Sequence, residues 1–121
     1  MIRQAARRNR QSIDAGLIEL VVGGLERLAS LGGTFDKVYS INVVQFLPDK
    51  AAAYRALFSA VRPGGVVATT YMPRHKHATR SDARITAREV SWHMESAGFT
   101  ALRIEELPLT PVPAVCVIGN R

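Results

Sequence analysis

The sequence predicts an α/β fold built on a mostly parallel sheet, and three observations predict it. Two short apolar, β-branched runs, Phe35–Ile41 and Val66–Tyr71, have the composition of strands covered on both faces. Between them lies a helix-period stripe of Ala51, Tyr54, Leu57, Phe58 and Val61, opened by Pro48-Asp49 and stopped by Arg62-Pro63-Gly64-Gly65. Strand, helix and strand at this spacing imply two parallel neighbours joined by a crossover, with a ligand crevice beyond their carboxyl ends. That crevice is expected between Asn42–Leu47 and the loop after Tyr71.

The remaining elements follow in order. Ile2 to Ala15 favours a helix, with Ile2, Ala5, Ala6 and Ile13 near one face and Gly16 as its C-terminal cap. Leu17–Val22 reads as a short strand ending at Gly23-Gly24. Leu25–Leu31 makes a helical turn or two, and Gly32-Gly33-Thr34 returns the chain to the strand at Phe35. Past Tyr71, the polar, basic, proline-containing stretch Met72–Asp82 is expected to loop over the crevice. Thr86 followed by Glu89 is a capping-box pattern for a helix through Ala97, striped by Ala87, Val90, Met94 and Ala97 and capped by Gly98. Phe99–Leu107 and Ala114–Gly119 are two closing strands around a proline-studded connection. There is no internal repeat, low-complexity tract or linker, so residues 1–121 read as one domain.

Composition excludes several classes. A chain of 121 residues that is 47% hydrophobic can bury a real core. Gly23, Gly24 and the charged residues interrupt every apolar run before it reaches membrane-spanning length, so no membrane partner is expected. Arg3, Arg7, Arg8 and Arg10 stand where a secretory signal needs apolar residues. A lone Cys116 within Ala114–Ile118 excludes a disulfide framework, fits a reducing cytoplasm, and reads as a small buried hydrophobe. The net charge of +6 is spread over the first helix and Arg74–Arg80 with no interleaved aromatics, which argues against nucleic acid as the main partner. An anionic small molecule near Arg74–Arg80 is as compatible with this charge.

The order and spacing of Gly23-Gly24-Leu25-Glu26-Arg27-Leu28, Phe35-Asp36-Lys37-Val38, Asn42–Phe46, Leu57–Gly65 and Ala97-Gly98-Phe99 resemble the C-terminal portion of a class I S-adenosylmethionine-dependent methyltransferase. The resemblance implies an incomplete doubly wound, Rossmann-like sheet whose last strand is antiparallel. It also implies a methyl transfer to a small-molecule acceptor, with S-adenosylmethionine as cofactor. By resemblance, Gly24 and Leu25 border the adenine, Met1 packs on its face, Asn42 and Val43 offer backbone groups to the methionine end, and Phe46 closes the pocket. Ordinary structural roles compete at each position: Val43 and Phe46 as core, Met1 as initiator, Gly23-Gly24 as a turn.

Two departures weaken the expected site. The family's Gly-rich loop, its first two strands and the acidic residue that binds the ribose have no counterpart, because Met1–Ala5 already resembles the helix that follows that acidic residue. Gly24 stands where the family usually places an aspartate that accepts from the adenine amino group. Each charge-assisted hydrogen bond contributes about 1.5–3 kcal/mol. Loss of both therefore lowers affinity by about two to four orders of magnitude, and cofactor binding by this chain is expected to be weak or absent.

No catalytic acid or base stands out, which suits a reaction driven by in-line positioning. His75 and His77 fall in the expected loop, as a base or substrate contact or, preferred, as exposed loop residues; their spacing, without a Cys or carboxylate cluster nearby, gives no metal site. Tyr71, at a strand's carboxyl end, is the substrate-contact candidate, and Trp92-His93 reads as a surface or oligomer contact.

Two accounts remain open. In one, the chain derives from a small-molecule methyltransferase cut short by a misassigned start or an incomplete gene, and lacks activity alone. In the other, it is a non-catalytic module that joins a partner chain or a second copy through an open sheet edge. A different nucleotide-binding domain is disfavoured by the absence of any G-x-G-x-x-G or P-loop.

Overall fold

The computed structural model describes residues 1–31 and 34–121. The expected turn at Gly32-Gly33 lies outside the described residues. The apolar runs form β1 (Phe35–Ile41) and β2 (Val61–Tyr71), joined by a short 3-10 turn at Val44–Phe46 and a helix at Lys50–Ala60. A second long helix, Arg80–Ala97, leads to β3 (Thr100–Leu107), and β4 (Ala114–Asn120) closes the chain. At the amino end, α1 (Ile2–Arg8) and α2 (Arg10–Asp14) precede these, so the two long helices are α3 and α4.

The strands form one sheet in the order β1-β2-β4-β3. β1 and β2 are parallel, and β4 inserts antiparallel between β2 and β3. Three strands thus run one way and only the last opposes them, the arrangement the resemblance implies. Register assigns the faces. Val38 lies opposite Val67 and Ser40 opposite Thr69, and this face meets α3 and α4. Tyr39, opposite Ala68, and Ile41, opposite Thr70, are on the other face and stay 76% and 62% exposed, so the cover expected on both faces of β1 is present on one only.

The core lies between the helices and the first face. Tyr54 and Leu57 of α3 pack with Ala83, Ala87, Val90 and Met94 of α4 over Val67, Val115 and Val117. The Tyr54 hydroxyl is satisfied inside it by Thr69 Oγ1 at 2.9 Å. Gly98 ends α4 at φ +109, a left-handed conformation that glycine adopts without strain, and a β-carbon there would press on the Phe58 ring.

Several expectations are corrected. Leu17–Val22 is not a strand: β1 bonds only to β2, and no neighbouring strand among the described residues offers this segment a ladder, so it runs as irregular backbone with Leu17 and Val22 exposed. The first helix is interrupted at Asn9, whose side-chain amide donates to the Ala5 carbonyl at 2.9 Å and competes with the helical ladder. α4 begins at Arg80 rather than near Thr86. Its capping box is Thr79-Asp82, the same chemistry more than a turn earlier, so the loop after β2 is only Met72–Thr79. Arg62-Pro63-Gly64-Gly65 stops α3 but lies inside β2, as an irregularity in its register with β1. Cys116 is half-buried on the less covered sheet face rather than fully buried. His93 is no surface contact: its ring stacks on Tyr54 at 6.2 Å, and only Trp92 beside it is exposed.

Candidate functional site

The site is built at the carboxyl ends of β1 and β2. The parallel crossover brings these ends together because both strands enter from the same side of the sheet. Asn42 follows β1 in the left-handed region at φ +54, where Asn is among the few side-chain-bearing residues tolerated. Its backbone N–H donates to the Thr70 carbonyl at 2.9 Å, and its Oδ1 accepts from the Met72 N–H at 2.8 Å. The two tips are therefore joined by hydrogen bonds on both sides of the turn. Asp49 then caps α3, its Oδ1 accepting from the Ala52 N–H at 2.9 Å.

Beside the tip of β1 opens a cleft of about 710 Å³. Small-molecule sites typically enclose roughly 300–1,000 Å³, so it has the size for one. One wall is Gly23–Leu28 at the start of a 3-10 helix spanning Leu25–Leu31; the other is Val43, Phe46 and the first turns of α3. The walls are mainly apolar, and Phe46 is 77% exposed at the mouth.

Four of the seven residues singled out in the sequence line this cleft together: Gly24, Leu25, Val43 and Phe46. Asn42 adjoins it, but its side chain is turned to Met72 rather than into the cleft. Tyr71 is half-buried at the tip of β2, outside the cleft, and the loop after it, expected as the second wall, lines none of it: Gly23–Leu28 takes that place. Met1 does not line it either; its side chain is fully exposed at the start of α1.

Two charged residues that sequence reasoning passed over line the same wall, Glu26 and Arg27. Glu26 Oε1 accepts from the Gly24 N–H at 2.9 Å. Its carboxyl is held below the ordinary glutamate range, first by a hydrogen bond to its own backbone and next by that of Gly24. The signal in the sequence is faint: a carboxylate two residues after a side-chain-free position, at the start of a helical turn.

The basic loop after β2 sits beside these tips. His75 Nε2 lies 3.5 Å from Asp82 Oδ2, and Arg80 and Arg84 both meet the Glu106 carboxylate, at 2.7 and 3.6 Å. Arg74 and Lys76 have no ion-pair partner among the described residues. No helix among the described residues is long and apolar enough to cross a membrane.

Comparison with known proteins agrees with this geometry. Residues 1–69 of the 121 match the family model described as a methyltransferase domain. The chain is 26% identical over 121 residues to the uncharacterized methyltransferase YdaC of Bacillus subtilis, covering all of this chain and 65% of that protein. Over 73 residues it is 37% identical to the trans-aconitate 2-methyltransferase of Deinococcus radiodurans, covering 60% of this chain and 28% of that protein. Among solved structures, an O-methyltransferase family protein from Burkholderia thailandensis shares the fold with a TM-score of 0.66 at 19% identity, over 98% of this chain and 40% of that one. The chain thus spans less than two thirds of either curated relative. A match over more than half of its length makes this chain a member of the methyltransferase-domain family, whose cofactor is S-adenosylmethionine.

Proposed function

We propose that this chain forms the nucleoside-side wall of a cytoplasmic S-adenosylmethionine-dependent methyltransferase acting on a small molecule, and that alone it binds the cofactor weakly and lacks activity. One observation carries the proposal: the joined tips of β1 and β2 stand beside a cleft lined by Gly24, Leu25, Val43 and Phe46. Apolar walls and exposed backbone suit a flat heteroaromatic ring. The cleft's two carboxylates are each engaged in capping, Glu26 at Gly24 and Asp49 at α3, which leaves no carboxylate pair free for a ribose diol. The residues present therefore fit the adenine end of the cofactor and not its sugar.

In this reading Leu25, Val43 and Phe46 sandwich the ring, and the Asn42 turn holds the methionine end beside Tyr71. The cofactor, when bound, supplies an electrophilic methyl group; the protein's part is to orient it and exclude water. A small-molecule acceptor is supported by the likeness to an enzyme named for trans-aconitate, and the basic loop at Arg74–His77 would suit an anionic one.

Calorimetric titration with S-adenosylhomocysteine tests the proposal. Millimolar binding, with backbone amide shifts gathered at Gly24, Leu25, Val43 and Phe46, is the expected result. Saturable micromolar binding overturns the weak-site expectation, and unshifted cleft amides overturn the site.

A second reading is favoured by one observation: among the described residues β1 is hydrogen-bonded to β2 alone, which leaves its outer edge without a strand partner beside the exposed Tyr39 and Ile41. Such an edge recruits another strand. A non-catalytic module that associates there predicts a dimer or larger species in sedimentation, dispersed by a Ser40→Pro change.

A further inference from the structure

We propose that the outer edge of β1 is the seam of a homodimer. The β1 strands of two copies pair antiparallel about a two-fold axis at Val38, with Tyr39 of each copy opposite Lys37 of the other. The inference rests on the edge-association reading above and adds the occupant and its register.

Alternation along β1 sets which backbone groups are on offer. The Asn42 N–H bonds to the Thr70 carbonyl, so Val38 and Ser40, in step with it, also turn their backbone groups to β2. Phe35, Lys37, Tyr39 and Ile41 are out of step and turn theirs to the outer edge, where no strand among the described residues meets them. Val38 is the midpoint of this strand. A two-fold axis there sets Lys37 against Tyr39 and Phe35 against Ile41, each pair occurring twice. Directly opposed residues of this kind exchange both of their hydrogen bonds. No outward residue is left over.

The side chains choose this register over its neighbours. Lys37, Tyr39 and Ile41 are exposed on the sheet face away from α3 and α4. An axis at Val38 lays an ammonium against a tyrosine ring at two places and an aromatic ring against an aliphatic side chain at two more. Moved one residue toward the amino end, the axis sets Lys37 against Lys37, and like charges directly opposite are destabilising. Moved one residue toward the carboxyl end, it leaves Phe35 beyond the ladder and removes both Lys37–Tyr39 pairs. Opposed residues share a face, so the helices of both copies stay on one side of a continuous sheet. The chain's own strand-like segment, Leu17–Val22, is engaged elsewhere, with Val21 lining the cleft. A seam of one strand is small, so the association is weak and concentration-dependent.

Sedimentation velocity of the 121-residue chain from micromolar to millimolar concentration tests the association, and charge placement tests the register. The parent is expected to pass from monomer to dimer. Tyr39→Lys, a change at an exposed position, sets two lysines opposite each other at two places and should weaken the dimer on the order of tenfold. Adding Lys37→Glu to it sets unlike charges opposite and should restore the parent's affinity. Tyr39→Pro removes an outward N–H while sparing the ladder to β2, as Ser40→Pro does not, and should give a monomer with native circular dichroism. A dimer that Tyr39→Pro disperses, but that Tyr39→Lys leaves as tight or Lys37→Glu fails to rescue, overturns the register and leaves the edge reading standing. A parent that stays monomeric at millimolar concentration, or a dimer indifferent to Tyr39→Pro, overturns both. Monomers whose Lys37 and Tyr39 amides resist hydrogen exchange carry their own Leu17–Val22 on the edge, which overturns the seam as well.

Discussion

Asn42 Oδ1 accepts the Met72 N–H at 2.8 Å, across thirty residues of chain, and so joins the end of β1 to the end of β2. The helix α3 lies between them in sequence, yet the contact is made at the one place where a crevice can open beyond a parallel pair. The side chain that resemblance assigns to the cofactor's neighbourhood thus has a structural task, and since its backbone N–H is bonded to the Thr70 carbonyl, the backbone carbonyl is what Asn42 leaves for a ligand.

Replacing Asn42 separates two effects. Asn42→Ala places a β-carbon residue with no local hydrogen bond at φ +54 and leaves the Met72 N–H unpaired, for a loss of roughly 2–3 kcal/mol. Asn42→Gly relieves the backbone and retains only the second effect, about 1 kcal/mol. Asn42→Asp keeps both the acceptor and the tolerance for this conformation and should be nearly neutral. Urea unfolding of the three variants reads the order; equal losses for Ala and Gly would show that the left-handed backbone carries no cost.

The start of α4 gives an acid-limb prediction. Thr79 Oγ1 accepts from the Asp82 N–H, and Asp82 Oδ2 accepts from the Thr79 N–H at 2.8 Å, which holds the Asp82 carboxyl below the ordinary aspartate range. Because the folded-state pKa is depressed, this stability is present above the unfolded-state value and is lost as pH falls through the folded one. Thr79→Ala should cost about 1 kcal/mol at neutral pH. Asp82→Asn should flatten the acid limb of a stability-against-pH curve, and an unchanged limb would refute the link.

Tyr54 gives the opposite limb. Burial raises its hydroxyl above the ordinary tyrosine range, the Thr69 hydrogen bond pulls the other way, and the Glu89 carboxylate adds to the rise. A raised folded-state pKa means stability present below the unfolded value, about 10, and lost as pH climbs through the folded one. Tyr54→Phe should lose about 1 kcal/mol at neutral pH by leaving Thr69 Oγ1 unpaired, and should then unfold less readily than the parent above pH about 11. Circular dichroism across the alkaline range decides it; parallel curves would sink the idea.

How much of this could be read from residues follows from where each signal is stored. The β1–α3–β2 unit was legible because apolar, β-branched runs flank a helix-period stripe at crossover spacing, and both signals are local. Gly24, Leu25, Val43 and Phe46 line one cleft, but its far wall is Gly23–Leu28 rather than the loop after Tyr71, because which segment faces the tip of β1 is a tertiary fact. Leu17–Val22 misled because β-branched composition reports suitability for a sheet and not the presence of a partner, which is a tertiary fact. The start of α4 misled because Thr79-Asp82 and Thr86-Glu89 carry the same capping chemistry, and only packing of Ala83 against the core chooses the earlier one.

Phe46 separates binding from folding. It lines the cleft while 77% exposed, so it contributes little to the core and much to the mouth. Phe46→Ala should leave the urea midpoint within the scatter of a neutral surface change, about 0.5 kcal/mol. The same change removes a ring against which a base can stack, worth on the order of 1 kcal/mol, so adenosine affinity should fall several-fold. Phe46→Tyr keeps the ring and should bind as the parent does. If Phe46→Ala instead unfolds the chain, the ring is core and the cleft is a packing defect; if it changes neither property, the base does not lie against this wall.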